Sequence, residues 1–328
     1  MSAADYQHPS SSDLPEIAEV LNRSRHELPY ERDLTLDEVN ADLFDDEDFN
    51  SSGCWIGRVE GKAVAFGRAI VEQKRQELGL NDGFALVEVV PEYRGRGIEE
   101  ELMKRILDFF NTTDLRLAQY QAATDRGWRN ELALGFGFKE VRRFFRMELK
   151  ALAPIRRLVP PRGVSIQSSS FKEADNKTIV EFAEAFNEYF ADHFNFSPVS
   201  PSKWIRWRDV SQDIGRVMFA KLVDKPVGVL LAEESAEFNR RNNTSLGWIW
   251  ILAVSKDHRH LGIGTYLLTE GVNWLINRGM RTVLLGVDAE NRGALGIYTS
   301  AGFEVLSETV VYRLKLVGGN APSREVNK

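Results

Sequence analysis

The chain has 328 residues, of which 43% are hydrophobic and 27% charged, and a formal net charge of −6. That balance describes a soluble globular protein with room for two cores, and its acidic total argues against a general nucleic-acid surface. The one cysteine, Cys54, rules out an intramolecular disulfide and reads as a small buried hydrophobe. The first twelve residues hold no apolar signal core, and no stretch approaches the ~18 apolar residues of a membrane span. The expected location is therefore cytoplasmic.

In chain order, Asp13 to Arg25 reads as an amphipathic helix. Strands follow at Cys54 to Val59 and Ala63 to Val71, broken by a Glu60-Gly61 turn. The acidic run Asp45-Asp-Glu-Asp48 before them reads as a solvated loop or helix end. A strand over Ala85 to Val90 leads into Arg94-Gly-Arg-Gly-Ile-Glu99. A helix then carries Leu102, Ile106, Phe109 and Phe110 on one face. The segment Ala153 to Gly163, with three prolines, reads as a linker. The expected organisation is a first domain over 12–151, a linker over 152–162, a second domain over 163–316 and a polar tail over 317–328.

The second half repeats the pattern. A helix is expected over Ala174 to Phe190, with strands over Val217 to Val223, Pro226 to Ala232 and Trp248 to Val254. The loop Arg259-His-Leu-Gly-Ile-Gly264 precedes a helix with Leu267, Leu268, Val272, Leu275 and Ile276 on its apolar stripe, ended by Gly279. A strand (Thr282 to Val287), a short helix (Ala294 to Ala301) and a strand (Thr309 to Leu316) complete the unit. Residue 94 corresponds to residue 259, an offset of 165, and the same offset links Gly137-Phe138 to Gly302-Phe303. Two motifs in phase point to a duplicated domain. The fold class is mixed α/β, with a sheet flanked by helices in each half.

A strand that runs into a glycine loop and then a helix presents backbone N–H groups with no internal partners. They can face a pyrophosphate, aided by the helix dipole, and Gly262 and Gly264 let backbone approach phosphate without a Cβ between. Downstream lies Asn291-Arg-Gly-Ala-Leu-Gly-Ile-Tyr-Thr-Ser-Ala-Gly-Phe303. Together, the two motifs resemble those of the GNAT acyltransferase superfamily: a (Q/R)xxGx(G/A) loop followed by NxxAxxxY…GF. Arg259, Gly262 and Gly264 match the first. Asn291, Ala294, Tyr298, Gly302 and Phe303 match the second. The plan, including Trp204 and Trp207 beyond Ala185 to Phe194, is similar to that of the duplicated acetyltransferases of the mycothiol synthase type.

The resemblance implies two tandem domains, each with a mixed, mostly antiparallel sheet, and acetyl-CoA as co-substrate. It implies that backbone N–H groups of Arg259, His260, Leu261, Gly262, Ile263 and Gly264 cradle the pyrophosphate. Leu252, Ala253 and Val254 would pair with pantetheine where their strand parts from the next. Asn291 would bond to the pantetheine or acyl region, and Tyr298 would stand near the thioester sulfur.

A leaving thiolate benefits from a tyrosine proton donor, while the attacking amine, near pKa ~10.4 when free, must lose a proton to some base. Family members often place a glutamate on the strand before the loop, but Trp248 to Val254 contains no carboxylate. The candidates are Glu233 and Glu234, with Asp192, His193 and Asp288 as further choices. Trp248 and Trp250 could line an acceptor pocket or belong to the core. His258 and His260 flank the loop without a third ligand, so no metal is implied.

In the first half the offset places Glu99 opposite Gly264, Ala133 opposite Tyr298 and Arg126 opposite Asn291, while Glu88 aligns with Ala253. A carboxylate ~5 Å from a phosphate would cost roughly 3 kcal/mol at an effective dielectric near 20. The expectation is a degenerate first domain, and a second domain that transfers acetyl to an amine. A small-molecule amine is expected first and a peptide amine second, with no nucleic-acid or membrane partner. A non-catalytic acyl-CoA sensor is the alternative.

Overall fold

The structure is a computed structural model that describes residues 4–25, 30–124, 127–151, 153–156, 158–212 and 214–317. The expectations for Arg126 and for the tail beyond residue 317 fall outside them. The first half contains β1 (Asp5–Gln7), α1 (Leu14–Arg25), α2 (Leu36–Asp42), β2 (Cys54–Val59), β3 (Lys62–Ile70), α3 (Gln73–Glu77) and β4 (Asp82–Val89). It continues with α4 (Ile98–Asn111), β5 (Leu117–Ala123), α5 (Gly127–Gly135) and β6 (Lys139–Lys150). The second half begins with β7 (Val164–Ser170), α6 (Asn176–Phe190), α7 (Pro201–Val210), β8 (Ile214–Leu222), β9 (Lys225–Glu234) and α8 (Ala236–Asn242). It ends with β10 (Leu246–Val254), α9 (Ile263–Asn277), β11 (Thr282–Asp288), α10 (Arg292–Ser300) and β12 (Glu304–Lys315). At an offset of 165, β5, α5 and β6 correspond to β11, α10 and β12 residue for residue.

The chain forms two compact units. Among the described residues, one comprises those of 4–25, 34–141 and 310–317, the other those of 30–33 and 142–309. The division falls inside β6 and β12, not in the proline-rich segment where a linear cut is expected. In the first unit the strand order is β1-β2-β3-β4-β5-β12, and in the second it is β7-β8-β9-β10-β11-β6. The strand that ends the first half of the sequence thus completes the second unit's sheet, pairing antiparallel with β11 from Thr282↔Lys150 to Asp288↔Phe144. Its alternation puts Met147 and Leu149 into the second unit's core. The strand that ends the second half puts Val310 and Tyr312 into the first unit's core. A strand's period-two pattern reports which face is buried, not which strand lies beside it, so the exchange leaves no mark on hydrophobic periodicity.

Each sheet is mostly antiparallel, as the resemblance implies, and holds a parallel pair: β4–β5 and β10–β11. α4 and α9 follow the central strands and bury an apolar stripe, including Leu102, Met103 and Ile106 in one and Leu267, Leu268 and Val272 in the other. Cys54 is buried in the first core. Burial pushes its thiol up to about 11, with Arg68 opposing. It behaves as the small hydrophobe expected.

Candidate active site

The site in the second unit is made by two neighbouring strands that stop pairing. β10 and β11 pair from Leu246↔Thr282 to Ile249↔Leu285, and then the ladder ends although both strands continue. On its other side β10 keeps its ladder with β9, with a register shift between Ile249 and Ile251 that leaves Trp250 as the extra residue. A bulge of this kind re-aims a side chain. Trp250 is 51% exposed and stacks on buried Trp248 with ring centroids 4.4 Å apart and planes 9° apart. The two tryptophans therefore divide the roles held open above: Trp248 is core, and Trp250 lines a cavity.

β10 ends in the glycine loop. Arg259 fixes the loop's shape with its side chain. Its Nε donates to the Val254 carbonyl (3.2 Å) and its Nη2 to the Tyr189 carbonyl (3.0 Å). Nη1 and Nη2 also donate to both oxygens of Asp192 (2.6 and 2.9 Å). The Arg259 hydrogen bonds hold the Asp192 carboxyl below its ordinary value, against a smaller effect of burial. His260 takes φ 65° and Gly262 φ 80°, a left-handed pair that turns successive N–H groups toward one side. The N–H groups of His260 to Gly264 have no intramolecular acceptor among the described residues. A Cβ on Gly264 would meet Ile297 and Val254 at ordinary contact distance, 3.5 and 3.6 Å. The glycine therefore opens the approach to the loop without relieving a clash. This arrangement fits an anionic group at the start of α9.

Beyond the parted strands, Asn291 caps α10 by accepting from the Ala294 N–H with its Oδ1 (3.1 Å). Its amide NH2 is the part left for a ligand. The Tyr298 ring is buried at 7% exposure, 6.1 Å from the Phe303 ring, and its hydroxyl has no protein hydrogen-bond partner among the described residues. Burial pushes the phenol up to about 12.

Two cavities open from this region. One, of about 600 Å³, runs along Leu252, Ala253, Val254, His260, Gly262 and Gly264. The other, of about 380 Å³, is lined by Trp250, Phe144, Arg142, Asp192, Asp288 and Glu290. His193, Leu252, Arg259, Asn291, Ala294 and Tyr298 line both. In the smaller cavity Arg142 pairs with Asp288 (3.0 Å) and with Glu290, and its guanidinium lies over the Phe194 ring at 4.7 Å.

Glu233 and Glu234 line neither cavity. The β9–β10 register sets them opposite Trp248 and Gly247, at the start of β10, whereas the loop leaves from its end. Glu234 is also paired with Arg278 (2.7 Å). Both were named as candidate bases, and antiparallel pairing sets them at the opposite end of β10 from the loop. Asp192, His193 and Asp288, the further candidates, do line a cavity. Leu261 is exposed at the loop's tip and contributes backbone only. Ile263 is buried under the helix start. His258 is held by Ser255 Oγ (2.7 Å). Sequence reasoning missed Arg142 and Phe144, because β6 reaches this unit by the strand exchange. Glu290 was legible in principle, on the turn between Asp288 and the helix cap.

The first unit repeats the frame and fills it. Arg94 donates to the Val89 (3.0 Å) and Ser24 (3.2 Å) carbonyls, the 165-offset counterparts of Arg259's contacts. Gly95 and Gly97 take φ 69° and 83°, as His260 and Gly262 do. Here the Glu99 carboxylate, 4% exposed, turns back and accepts from the Gly95 N–H at 2.9 Å. Its second oxygen is buried without a partner among the described residues. Glu99 does more than repel an anion at this loop: its own carboxylate already occupies part of the nest. Glu88 is buried against Arg129 (2.5 Å). Burial alone would raise its carboxyl, but Arg129 and Ser24 outweigh burial and hold it low. Ala133, the 165-offset counterpart of Tyr298, is buried and has no hydroxyl to offer.

Parted parallel strands leading to a glycine loop and a helix N-terminus define the class of fold, and comparison with known proteins names the family. The profile of the acetyltransferase (GNAT) family matches residues 16–126 and 179–303. The chain belongs to that family, as a tandem two-domain acetyltransferase. It is 28% identical over 248 residues to a mycothiol acetyltransferase of Stackebrandtia nassauensis, covering 72% of this chain and 76% of the relative. It is 27% identical over 236 residues to one of Thermobispora bispora, covering 69% and 74%. Among solved structures, a tandem GNAT protein from the clavulanic acid biosynthesis pathway superposes with TM-score 0.72 at 14% identity, covering 98% and 99% of the two chains. A GCN5-related N-acetyltransferase from Sphaerobacter thermophilus gives 0.64 at 22%, covering 95% and 96%. Among the described residues, no helix is long and apolar enough to cross a membrane.

Proposed function

We propose that the second unit transfers the acetyl group of acetyl-CoA directly to an amine of a small molecule. The observation that carries this reading is the larger cavity, which runs from free N–H groups at the start of α9 along β10 backbone no longer paired with β11 to the Tyr298 hydroxyl. In this reading the N–H groups of His260 to Gly264 hold the pyrophosphate, with the Arg259 side chain bracing the loop. Leu252, Ala253 and Val254 offer backbone to pantetheine, and the Asn291 amide NH2 donates to it. Tyr298 donates a hydrogen bond to the sulfur as the carbon–sulfur bond breaks. The smaller cavity then receives the amine beside Trp250. Relatives named mycothiol acetyltransferases favour a small-molecule acceptor over a peptide. The first unit, its loop filled by Glu99, serves as scaffold. The test is CoA release, read with a thiol reagent, from acetyl-CoA and a panel comprising hexosamines, diamines and lysine peptides. Release with one small amine class is expected. Acetyl-CoA binding without release for any amine would leave a sensor, and no binding would remove the site.

A further inference from the structure

The acetyl-transfer reading leaves the proton acceptor for the attacking amine without an owner, because β10 carries no carboxylate and Glu233 and Glu234 stand at its far end. An acceptor that works where the two cavities join has to line both, or reach there through one water. Of the six residues that do, Leu252 and Ala294 have no proton chemistry and the Asn291 amide neither gains nor loses a proton. Arg259 stays charged and is engaged with Asp192, Val254 and Tyr189. Tyr298, pushed up to about 12 by burial, holds its proton at neutral pH. His193 remains. It sits just past the end of α6, with its N–H bonded to the Phe190 carbonyl (2.8 Å) and its ring against the Phe190 ring at 4.5 Å.

Resting on that reading, we infer that His193 is the catalytic base of the transfer, taking the proton from the acceptor amine directly or through one water. The carboxylates nearby are already engaged: Asp192 by Arg259, and Asp288 and Glu290 by Arg142. Several charged groups bear on the imidazole. Partial burial pushes it below its ordinary value of 6.5. Asp192, 4.0 Å from Nε2, and Asp288 oppose that shift, and Arg259 adds to it. The ring is therefore neutral at pH 7, with a lone pair to offer. The ammonium form of the acceptor gives one proton to His193, which passes it to solvent. The neutral nitrogen bonds to the thioester carbonyl carbon, and the carbon–sulfur bond breaks with its electron pair on sulfur. The proton shed as the amide forms ends on that sulfur. One proton is released per turnover.

The parent, His193→Gln and His193→Ala are compared as full chains, with acetyl-CoA and the amine that performs best in the panel. Calorimetry with acetyl-CoA shows that each variant is folded and binds, with affinity expected within about threefold of the parent. The expected kcat loss is ~10²–10⁴-fold. The parent's kcat/KM falls as pH drops through a midpoint below 6.5, and this limb disappears in both variants. Added imidazole restores part of the rate of His193→Ala. An aromatic amine, already neutral at pH 7, loses less than an alkylamine. A variant that keeps the parent's rate and acid limb overturns the assignment. So does a slow variant that keeps the limb and is not rescued by imidazole, since the histidine is then structural. If Asp288→Asn removes the limb and His193→Gln does not, the base is Asp288. If the parent itself acetylates nothing, both readings fall, and this differs from failure of His193 alone, in which the parent still turns over.

Discussion

Tyr298 is a phenol held on a buried ring at a wall shared by two cavities, and its height on the pH scale decides what it can do. A thiol titrates near ~8.5 and Tyr298 near about 12. Full transfer of its proton to a leaving thiolate is therefore uphill by roughly 5 kcal/mol. In the proposed transfer the hydroxyl acts as a hydrogen-bond donor to developing charge, and Tyr298→Phe should sit at the low end of the range for such groups, about 10²-fold in kcat. Acetyl-CoA affinity should barely change, and the loss should shrink with an aryl thioester, whose leaving group needs less help. Steady-state rates with both donors, alongside calorimetry, check this; parent-like turnover of acetyl-CoA would make the tyrosine structural. Arg259 gives the complementary case. Its fork braces the loop from three directions, and lysine cannot reproduce a fork. Arg259→Lys should weaken acetyl-CoA binding about tenfold, the equivalent of ~1.4 kcal/mol, with kcat little altered. The partner carboxyl of Asp192 is held below its ordinary value. A lowered carboxyl keeps its pair above the ordinary range and loses it only as pH falls through the lowered value. The brace should therefore leave acetyl-CoA affinity flat from pH 8 down to about 4.

At the scale of the element, the two glycine loops are one backbone with opposite contents. The φ pairs of Gly95 and Gly97 and of His260 and Gly262 differ by only a few degrees, and Arg94 and Arg259 grip equivalent carbonyls. The loops differ at three positions, Gly95/His260, Arg96/Leu261 and Glu99/Gly264, and only the last puts a carboxylate back into the nest. Gly264→Glu has room for its Cβ, and its carboxylate can turn back to the His260 N–H as Glu99 turns to Gly95. The variant should fold as the parent does and lose acetyl-CoA affinity by at least ~10²-fold, since it combines repulsion of roughly 3 kcal/mol with a filled nest. Glu99→Gly should empty the first loop. Binding of CoA, counted by calorimetry, is expected at one per chain in the parent, and a second weak site in the variant would show that Glu99 alone had closed it. Two equivalent sites in the parent would refute the filled-nest reading. This contrast was half legible in the sequence. The offset of 165 exposed Glu99 as the odd residue, but its fold-back onto Gly95 depends on a side-chain rotamer that no spacing encodes. The parting of β10 from β11 was expected from the family pattern. The bulge at Trp250 was not, because an extra residue in a ladder shows only against its partner strand.

For the molecule as a whole, duplication in sequence is not division in space. The proline-rich segment at 153–163 marks the seam of the repeat, yet each compact unit draws residues from both halves. Periodicity gave the helices and strands around both glycine loops, did not give β1, α2, α3, β7, α7 or α8, and could not say which sheet would hold β6 or β12. The exchange bears on function, because β6 brings Arg142 and Phe144 to the smaller cavity of the unit that carries Tyr298. It also has a consequence for folding. A fragment spanning 163–328 contains every residue of the glycine loop and the tyrosine helix, but lacks the strand that pairs with β11. It loses buried Met147 and Leu149, each worth ~1.5–3 kcal/mol of burial, and exposes a central apolar strand as an edge. Against a total stability of about 5–15 kcal/mol, that loss should be decisive. The fragment expressed alone is expected to aggregate or show no cooperative thermal transition, whereas co-expression with a fragment spanning 1–151 should restore a soluble pair that binds acetyl-CoA. A fragment 163–328 that melts cooperatively and binds acetyl-CoA by itself would show that the second half closes its sheet with its own last strand, and the exchange described here would be wrong.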